Sequence, residues 1–470
     1  MSHRNLAGAI LACALGLAGA PAARADLYQA AAALQKQDLP RAFSLYRELA
    51  ELGHGVAQEN LAIMYVNGEG VARDNVLGYA WAKLALDNGA GDAAKSIVSQ
   101  IEPHLKEASR ARVADIEARF GGQALLKRIL PVRVTAVAQT AMPAGDTACR
   151  MKAPADPNLF YPEAARRQNV SGSVLVEAEV KADGSARTPR VWYSFPAEAF
   201  DAPGRAVALS SQYWPKKENG EPVACSILFK VKFRTKGGNG GVDTPDSRKM
   251  VADVRAKALA GDPASQFSYG VILSMLMELN KDDEQPEGWF LRSAQAGFPP
   301  AQYLVALQLL RGSAWVKDEV KGRFWLERAA NAGSVDAQTV LAVQLLRAGA
   351  DATSRDQGFD WLKRAASSTH REAKFKFASL LATWPDPSRR DPAQALALLG
   401  EVRDTFEYDP AFHEIRAAAL AGQGDFKAAI NAQRRAIGMA RRLDWDTNRE
   451  TVRLEAYEKG QLADGEFISF

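Results

Sequence analysis

Residues 172–180 read Gly172-Ser173-Val174-Leu175-Val176-Glu177-Ala178-Glu179-Val180, and residues 225–233 read Cys225-Ser226-Ile227-Leu228-Phe229-Lys230-Val231-Lys232-Phe233. Both alternate with period two, the spacing of a strand that buries one face. Val174, Val176, Ala178 and Val180 fall on one side of the first, and Ser173, Glu177 and Glu179 on the other. In the second, Cys225, Ile227, Phe229, Val231 and Phe233 alternate with Ser226, Lys230, Lys232 and then Arg234; only Leu228 breaks the pattern. Asp183-Gly184 predicts a turn, because glycine accepts the positive φ of a tight hairpin, and a strand is expected around residues 190–193. Tyr161-Pro162 opens a short helical run over 163–168. Asp201 is expected to N-cap a helix carrying Ala206, Val207 and Leu209 towards Trp214. Gly220-Glu221-Pro222 then turns the chain into the last strand. Helix, hairpin, helix and strand in this order predict a two-layer α/β unit, a three-stranded antiparallel sheet with one helix on its apolar face.

These residues also carry a resemblance. Tyr161-Pro162, Ala164-Ala165-Arg166-Arg167, Gly172, Asp183-Gly184, Phe200-Asp201, Ala206-Val207, Trp214, Gly220-Glu221-Pro222-Val223 and Phe233 together resemble the C-terminal domain of TonB-type energy transducers. The family's Phe-x-Pro after the tryptophan is here Trp214-Pro215-Lys216-Lys217, so the turn before the last strand departs from its pattern. The resemblance implies a domain that binds a short segment of outer-membrane receptors by strand addition and transmits force from an inner-membrane motor.

On both sides of this unit the periodicity is helical. Trp289, Trp325 and Trp361 are 36 residues apart, as are Gly261, Gly297 and Gly333, then Gln266, Gln302 and Gln338, then Leu273, Leu309, Leu345 and Leu381. Four positions keeping one period predict a helical solenoid. Small Ala301, Ala329, Ala330 and Ala337 allow close helix approach, and one tryptophan per repeat is expected to fill the wedge between hairpins. Glycine after each second helix permits a left-handed stop. The same 36-residue offset relates Leu45 to Trp81 and Gly53 to Gly89 in the N-terminal region, which resembles the Sel1-like repeat. From Asp409 the pattern drifts towards a tetratricopeptide repeat, and residues 441–470 are expected to form a polar capping helix and then fray.

The fold class is therefore multidomain: Sel1-like and tetratricopeptide-type helical repeats flanking a small α/β domain that resembles the TonB C-terminal domain. The expected organisation is a signal peptide over 1–25, helical repeats over 26–130, the α/β domain over 131–236, a linker over 237–247 and helical repeats over 248–470. Gly237-Gly238-Asn239-Gly240-Gly241 marks that linker.

Arg4, the apolar run 6–17 and Ala23-Arg24-Ala25 read as an export signal cleaved after Ala25. Twelve apolar residues are too few to span a bilayer. Cys13 after Ile10-Leu11-Ala12 faintly resembles a lipoprotein box, but it lies very early and Leu11 fits poorly, so no lipid anchor is expected. Formal net charge is +4, and +2 once Arg4 and Arg24 are set aside, which gives no reason to invoke nucleic acid. With Cys13 removed, Cys149 and Cys225 remain. In an oxidising compartment such a pair reads as a disulfide, the bland alternative being two separate thiols with Cys225 buried in the sheet.

Chemistry-bearing motifs are few. The sequence holds no Gly-x-Ser-x-Gly, His-Glu-x-x-His, Gly-x-x-x-x-Gly-Lys or Cys-x-x-Cys. Gly68-Glu69-Gly70 reads as a turn between repeat helices, since no strand precedes it. His54 and His370 stand where a repeat helix starts and are expected to cap; His104 and His413 are isolated. Asp282-Asp283-Glu284 reads as a solvated turn. No cofactor, metal or catalytic site is expected. The leading functional expectation is a non-catalytic exported scaffold that binds envelope proteins or peptides, outer-membrane receptors among them. Its docking edge would be the last strand, through Ser226, Leu228, Lys230, Lys232 and Arg234. The alternatives are a TonB-type transducer that keeps residues 1–25 as an inner-membrane anchor, and a hydrolase of envelope polymers needing a carboxylate pair that the sequence does not locate.

Overall fold

The computed structural model describes residues 26–133, 149–167, 172–195, 199–218, 220–223, 225–234, 245–275, 284–312, 314–346, 350–443 and 445–463. The signal sequence with Cys13, and residues 237–244 of the expected linker, lie outside them; its last residues, 245–247, instead begin the helix Pro245–Leu259. The described residues divide into two compact units, one drawn from 16–140 and 245–337 and the other from 141–244 and 338–470.

The first unit is helical. Hairpins of helices follow one another from Leu27–Gln35 to Gly122–Arg128 and from Pro245–Leu259 to Glu319–Asn331. Each repeat glycine adopts the left-handed conformation expected of it, with φ of 85° at Gly53, 87° at Gly297 and 94° at Gly333. The periodic glutamine also has a mechanical reason. Gln58, Gln266 and Gln302 are buried, and each donates its side-chain amide to a carbonyl eight residues earlier, Ala50, Ala258 and Ala294. Each of these carbonyls also accepts from the repeat glycine N–H (Gly53, Gly261 and Gly297), so the glutamine adds a second donor where the preceding helix ends. Trp289 and Trp325 are buried as expected; the Trp325 indole donates to the Ile129 carbonyl at 2.8 Å.

Two expectations about polar residues meet different outcomes here. His54 is an N-cap, its Nδ1 accepting from Ala57 N at 3.2 Å, and burial lowers its pKa to about 4. Glu284, expected in a solvated turn, instead pairs with Arg255 at 2.7 Å and accepts from the Trp289 indole and the Tyr269 hydroxyl. Asp282 and Asp283 lie outside the described residues.

The second unit joins the sheet to the later helices. Its strands are β1 (Arg150–Ala153), β2 (Gly172–Val180), β3 (Ala186–Phe195), β4 (Gln212–Trp214), β5 (Lys216–Glu218), β6 (Glu221–Val223) and β7 (Cys225–Phe233). They form a three-stranded antiparallel sheet of order β3-β2-β7 and two small pairs, β1-β4 and β5-β6. The second strand is longer than expected, and the two small pairs were not anticipated; β5-β6 is the turn where the sequence departs from the TonB pattern. Gly184 sits at φ 84° in the β2–β3 hairpin. The helix Asp201–Ser210 lies on the apolar face. Asp201 is its first residue and not the N-cap, which is Phe200, so the capping expectation is corrected. Gly204 lets that helix approach: a Cβ there would stand 2.9 Å from Val174 Cγ1.

The helices of this unit run from the repeat pair Ala352–Ala366 and Arg371–Thr383 through Pro410–Gly422 and Phe426–Arg442 to Asn448–Glu458. His370 caps the helix Arg371–Thr383 as His54 caps its own, accepting from Ala373 N at 3.2 Å. Trp361, by contrast with Trp289 and Trp325, is only partly buried. The expected terminal helix, Asn448–Glu458, is present, and its inner face buries Glu450 and Arg453 as well as Tyr457.

Candidate functional site

The apolar face of the sheet is an ordinary core. Val174, Val176 and Ala178 are fully buried, with Phe200, Val207, Val231 and Phe233 around them. Three aromatic residues of the TonB-like pattern meet here. Tyr161 stands edge-on to Phe200 at 5.6 Å and to Phe233 at 5.9 Å, and Phe200 stacks on Phe233 at 4.8 Å. Their recurrence in the pattern is thus a packing requirement. Trp214 differs: it is half exposed, with the Lys152 ammonium 4.7 Å from its ring centroid.

The disulfide joins Cys149 to Cys225 with Cα atoms 5.9 Å apart. It fastens the residue before β1 to the first residue of β7.

The two edges of the sheet are built differently. β7 pairs with β2 in nine consecutive positions, from Gly172 opposite Phe233 to Val180 opposite Cys225, without a register shift. Among the described residues β7 pairs within the sheet with β2 alone. Ser226, Lys232 and Arg234 are exposed, and Leu228 and Lys230 half-buried. Ser226, Leu228, Lys230 and Lys232 stand opposite Glu179, Glu177, Leu175 and Ser173, which places them on the face away from the Phe233 core. β3, at the other edge, pairs with β2 irregularly, with shifts between Leu175 and Val176 and between Glu177 and Glu179. It also contains Pro189, which has no amide to offer a further strand.

β3 carries the charged residues that sequence reasoning passed over. Arg187 faces Glu179 and Arg190 faces Glu177 across the β2–β3 pair. Arg187 is buried; its two terminal nitrogens bind Glu414 Oε1 and Glu450 Oε1, each at 3.1 Å. Arg453 binds the other oxygen of Glu414, and Trp445 lies 4.1 Å from the Arg187 guanidinium. Burial pushes the Glu414 carboxyl up from its ordinary pKa, against the pull of Arg187 and Arg453. Nearby, Arg190 pairs with Glu372 at 3.4 Å and Lys376 with Glu179 at 3.3 Å. Burial works against the Lys376 charge, but the carboxylates of Glu179, Glu372 and Glu177 prevail and its pKa is raised. On a strand, alternating charges read as a solvated face, so only the surplus of apolar residues elsewhere could have hinted that this face is covered.

Among the described residues no group of three or more histidine, cysteine or acidic side chains could hold a metal ion, and no helix is long and apolar enough to cross a membrane.

Residues 157–235 match the family of the Gram-negative bacterial TonB protein C-terminal domain. Four segments, 24–54, 55–89, 299–334 and 335–370, match the Sel1 repeat. The chain thus carries a TonB C-terminal domain flanked by Sel1 repeats. No protein of curated function matches it. Two solved structures are similar to it over most of its length. One is a protective antigen of uropathogenic Escherichia coli strains displaying an SLR fold, at 16% identity and a TM-score of 0.34, covering 90% of this chain and 80% of that one. The other is a Sel1 repeat protein from Oxalobacter formigenes, at 14% identity and a TM-score of 0.31, covering 80% of this chain and 98% of that one.

Proposed function

We propose that the protein is an exported, non-catalytic binding scaffold of the periplasm, whose TonB-like domain takes up an extended peptide along β7. The β7 edge carries this reading. It is a long strand in unbroken register with β2, and among the described residues it pairs within the sheet with β2 alone. Such an edge offers a row of backbone donors and acceptors to an added strand. Lys232 and Arg234, both exposed, favour an acidic partner segment from an envelope protein.

Export is supported from two directions. The disulfide fits an oxidising compartment. Asp26, the first residue after the expected cleavage position, already caps a helix by accepting from Gln29 N at 2.7 Å.

The family match also favours a second reading, a transducer anchored by residues 1–25. Chain organisation weighs against it. Between the apolar run and the TonB-like domain stand packed helical repeats from Leu27 to Arg128, where the resembled transducers carry a long proline-rich spacer.

The test is a titration of the oxidised full-length protein with a synthetic extended acidic peptide, read by NMR at the β7 amides. Saturable shifts along 225–234, weakened by Lys232→Glu with Arg234→Glu, are expected. Shifts confined to the helical repeats would overturn the docking edge. A folded Lys230→Pro variant adds backbone information: undiminished binding would exclude that amide from the contact. Intact-mass measurement on protein from the native host tests export, and a retained residue 1 would overturn cleavage after Ala25.

A further inference from the structure

We propose that the helices of residues 338–470 are the built-in partner of the sheet's polar face, so that their sheet-facing surface serves the TonB-like domain and not an outside protein. Three separate helices supply charges to one face. Glu372 and Lys376 come from Arg371–Thr383, Glu414 from Pro410–Gly422, and Glu450 with Arg453 from Asn448–Glu458. Each meets its opposite in kind: acids receive Arg187 and Arg190 of β3, and Lys376 receives Glu179 of β2. Because β3 presents Arg187 and Arg190 while β2 presents Glu177 and Glu179, displacing the helices by one strand would set Glu372 against the β2 glutamates. The pattern therefore specifies a single docking pose.

Burial shows that the surface is built for permanent occupation. Relative exposure is 1% at Glu414, 3% at Glu450, 3% at Lys376 and 7% at Arg187. A charge kept this far from water is costly unless its partner is always present. Helices meant to meet a transient partner would carry such charges at a wet rim, where separation costs little. The seam is also apolar: Leu209 of the helix Asp201–Ser210 packs with Tyr408, Ala440, Leu443 and Trp445. Trp445 belongs to this patch and to the Arg187 contact at once, so both parts of the seam close together. Recognition of other proteins by repeats then falls to the helices of residues 27–128 and 245–331, while the sheet keeps β7 for its own ligand.

Hydrogen exchange read by mass spectrometry on the oxidised full-length protein tests this. Glu414→Ala leaves two guanidiniums without their shared carboxylate. Exchange over β3 and over residues 448–458 should then rise together, by roughly tenfold or more, while residues 27–87 stay at the parental rate. Lys376→Met keeps most of the side-chain volume, removes one charge opposite β2, and decides the matter if Glu414→Ala does not fold. It should raise exchange in β2 and in residues 371–383 together, by a few-fold. Faster exchange in the helices with β2 and β3 unchanged would overturn the proposal, as would unchanged exchange in both. No peptide ligand is needed, so the outcome is independent of whether β7 binds one.

Discussion

β3 and β7 flank the same central strand, yet one is irregular and carries buried arginines held by the later helices, and the other is kept regular. β3 has Pro189, two register irregularities, and Arg187 held by helices more than two hundred residues away in sequence. β7 has neither a proline nor a register shift. It has nine aligned pairs, exposed Lys232 and Arg234, and a disulfide at its first residue. Edge strands invite association, and proteins blunt them by bulges, proline, charge or cover. Here three of those devices fall on β3, while β7 is protected by charge, which discourages another copy of itself without blocking an acidic strand. The difference teaches where the fold tolerates change: heavily on one edge, lightly on the other.

Substitutions should grade accordingly. The largest effect is expected at the β3 side, where Glu414→Ala breaks a buried network and should cost about 3–5 kcal/mol in the unfolding of its unit; calorimetry measures it, and a loss below about 1 kcal/mol would mean the network is wet. Removing the disulfide with Cys149→Ser and Cys225→Ser acts on the β7 side. It should cost about 2–4 kcal/mol in denaturant unfolding, chiefly by freeing the unfolded chain.

Acid should act next. Burial lowers the pKa of His413 to about 4, with its Nε2 2.9 Å from the Glu407 carbonyl. The unfolded chain takes up the proton near pH 6.5 and the folded one does not until about 4. Stability from this group is thus complete above pH 6.5 and declines as pH falls towards 4, by at most on the order of 3 kcal/mol. His413→Gln should flatten the slope of stability against pH in that window. The smallest effect is expected at the open edge: Lys232→Ala and Arg234→Ala should move stability by less than about 0.5 kcal/mol. A larger loss would show that β7 is covered as β3 is.

Much of this was legible in residue patterns. The alternation in 172–180 and 225–233 defined both strands of the regular ladder, because a half-buried strand must repeat every two residues. The 36-residue spacing of Trp, Gly and Gln defined the repeats, since each repeat uses them in the same place. The pairing of Cys149 with Cys225 followed from export leaving only two thiols. What escaped was everything that depends on a distant partner. Arg187 and Arg190 look solvated on their own strand, and Glu450 and Arg453 look like the polar face of a terminal helix. Neither set shows its burial until the two are brought together. The periodic glutamine was visible as a signal, but its bond to a carbonyl eight residues back required the helix ends to be placed.

Arg187 and Glu450 are separated by 263 residues, and a chain is synthesised from its N-terminus at roughly 5–20 residues per second. Arg187 therefore exists for roughly 10–50 s before its last ionic partner does. During that interval β3 is an uncovered edge, and Pro189 with the two irregularities is its defence from the start. These local features act early, while the ion pairs act late, so one strand is guarded in succession by chemistry of its own and by chemistry that arrives.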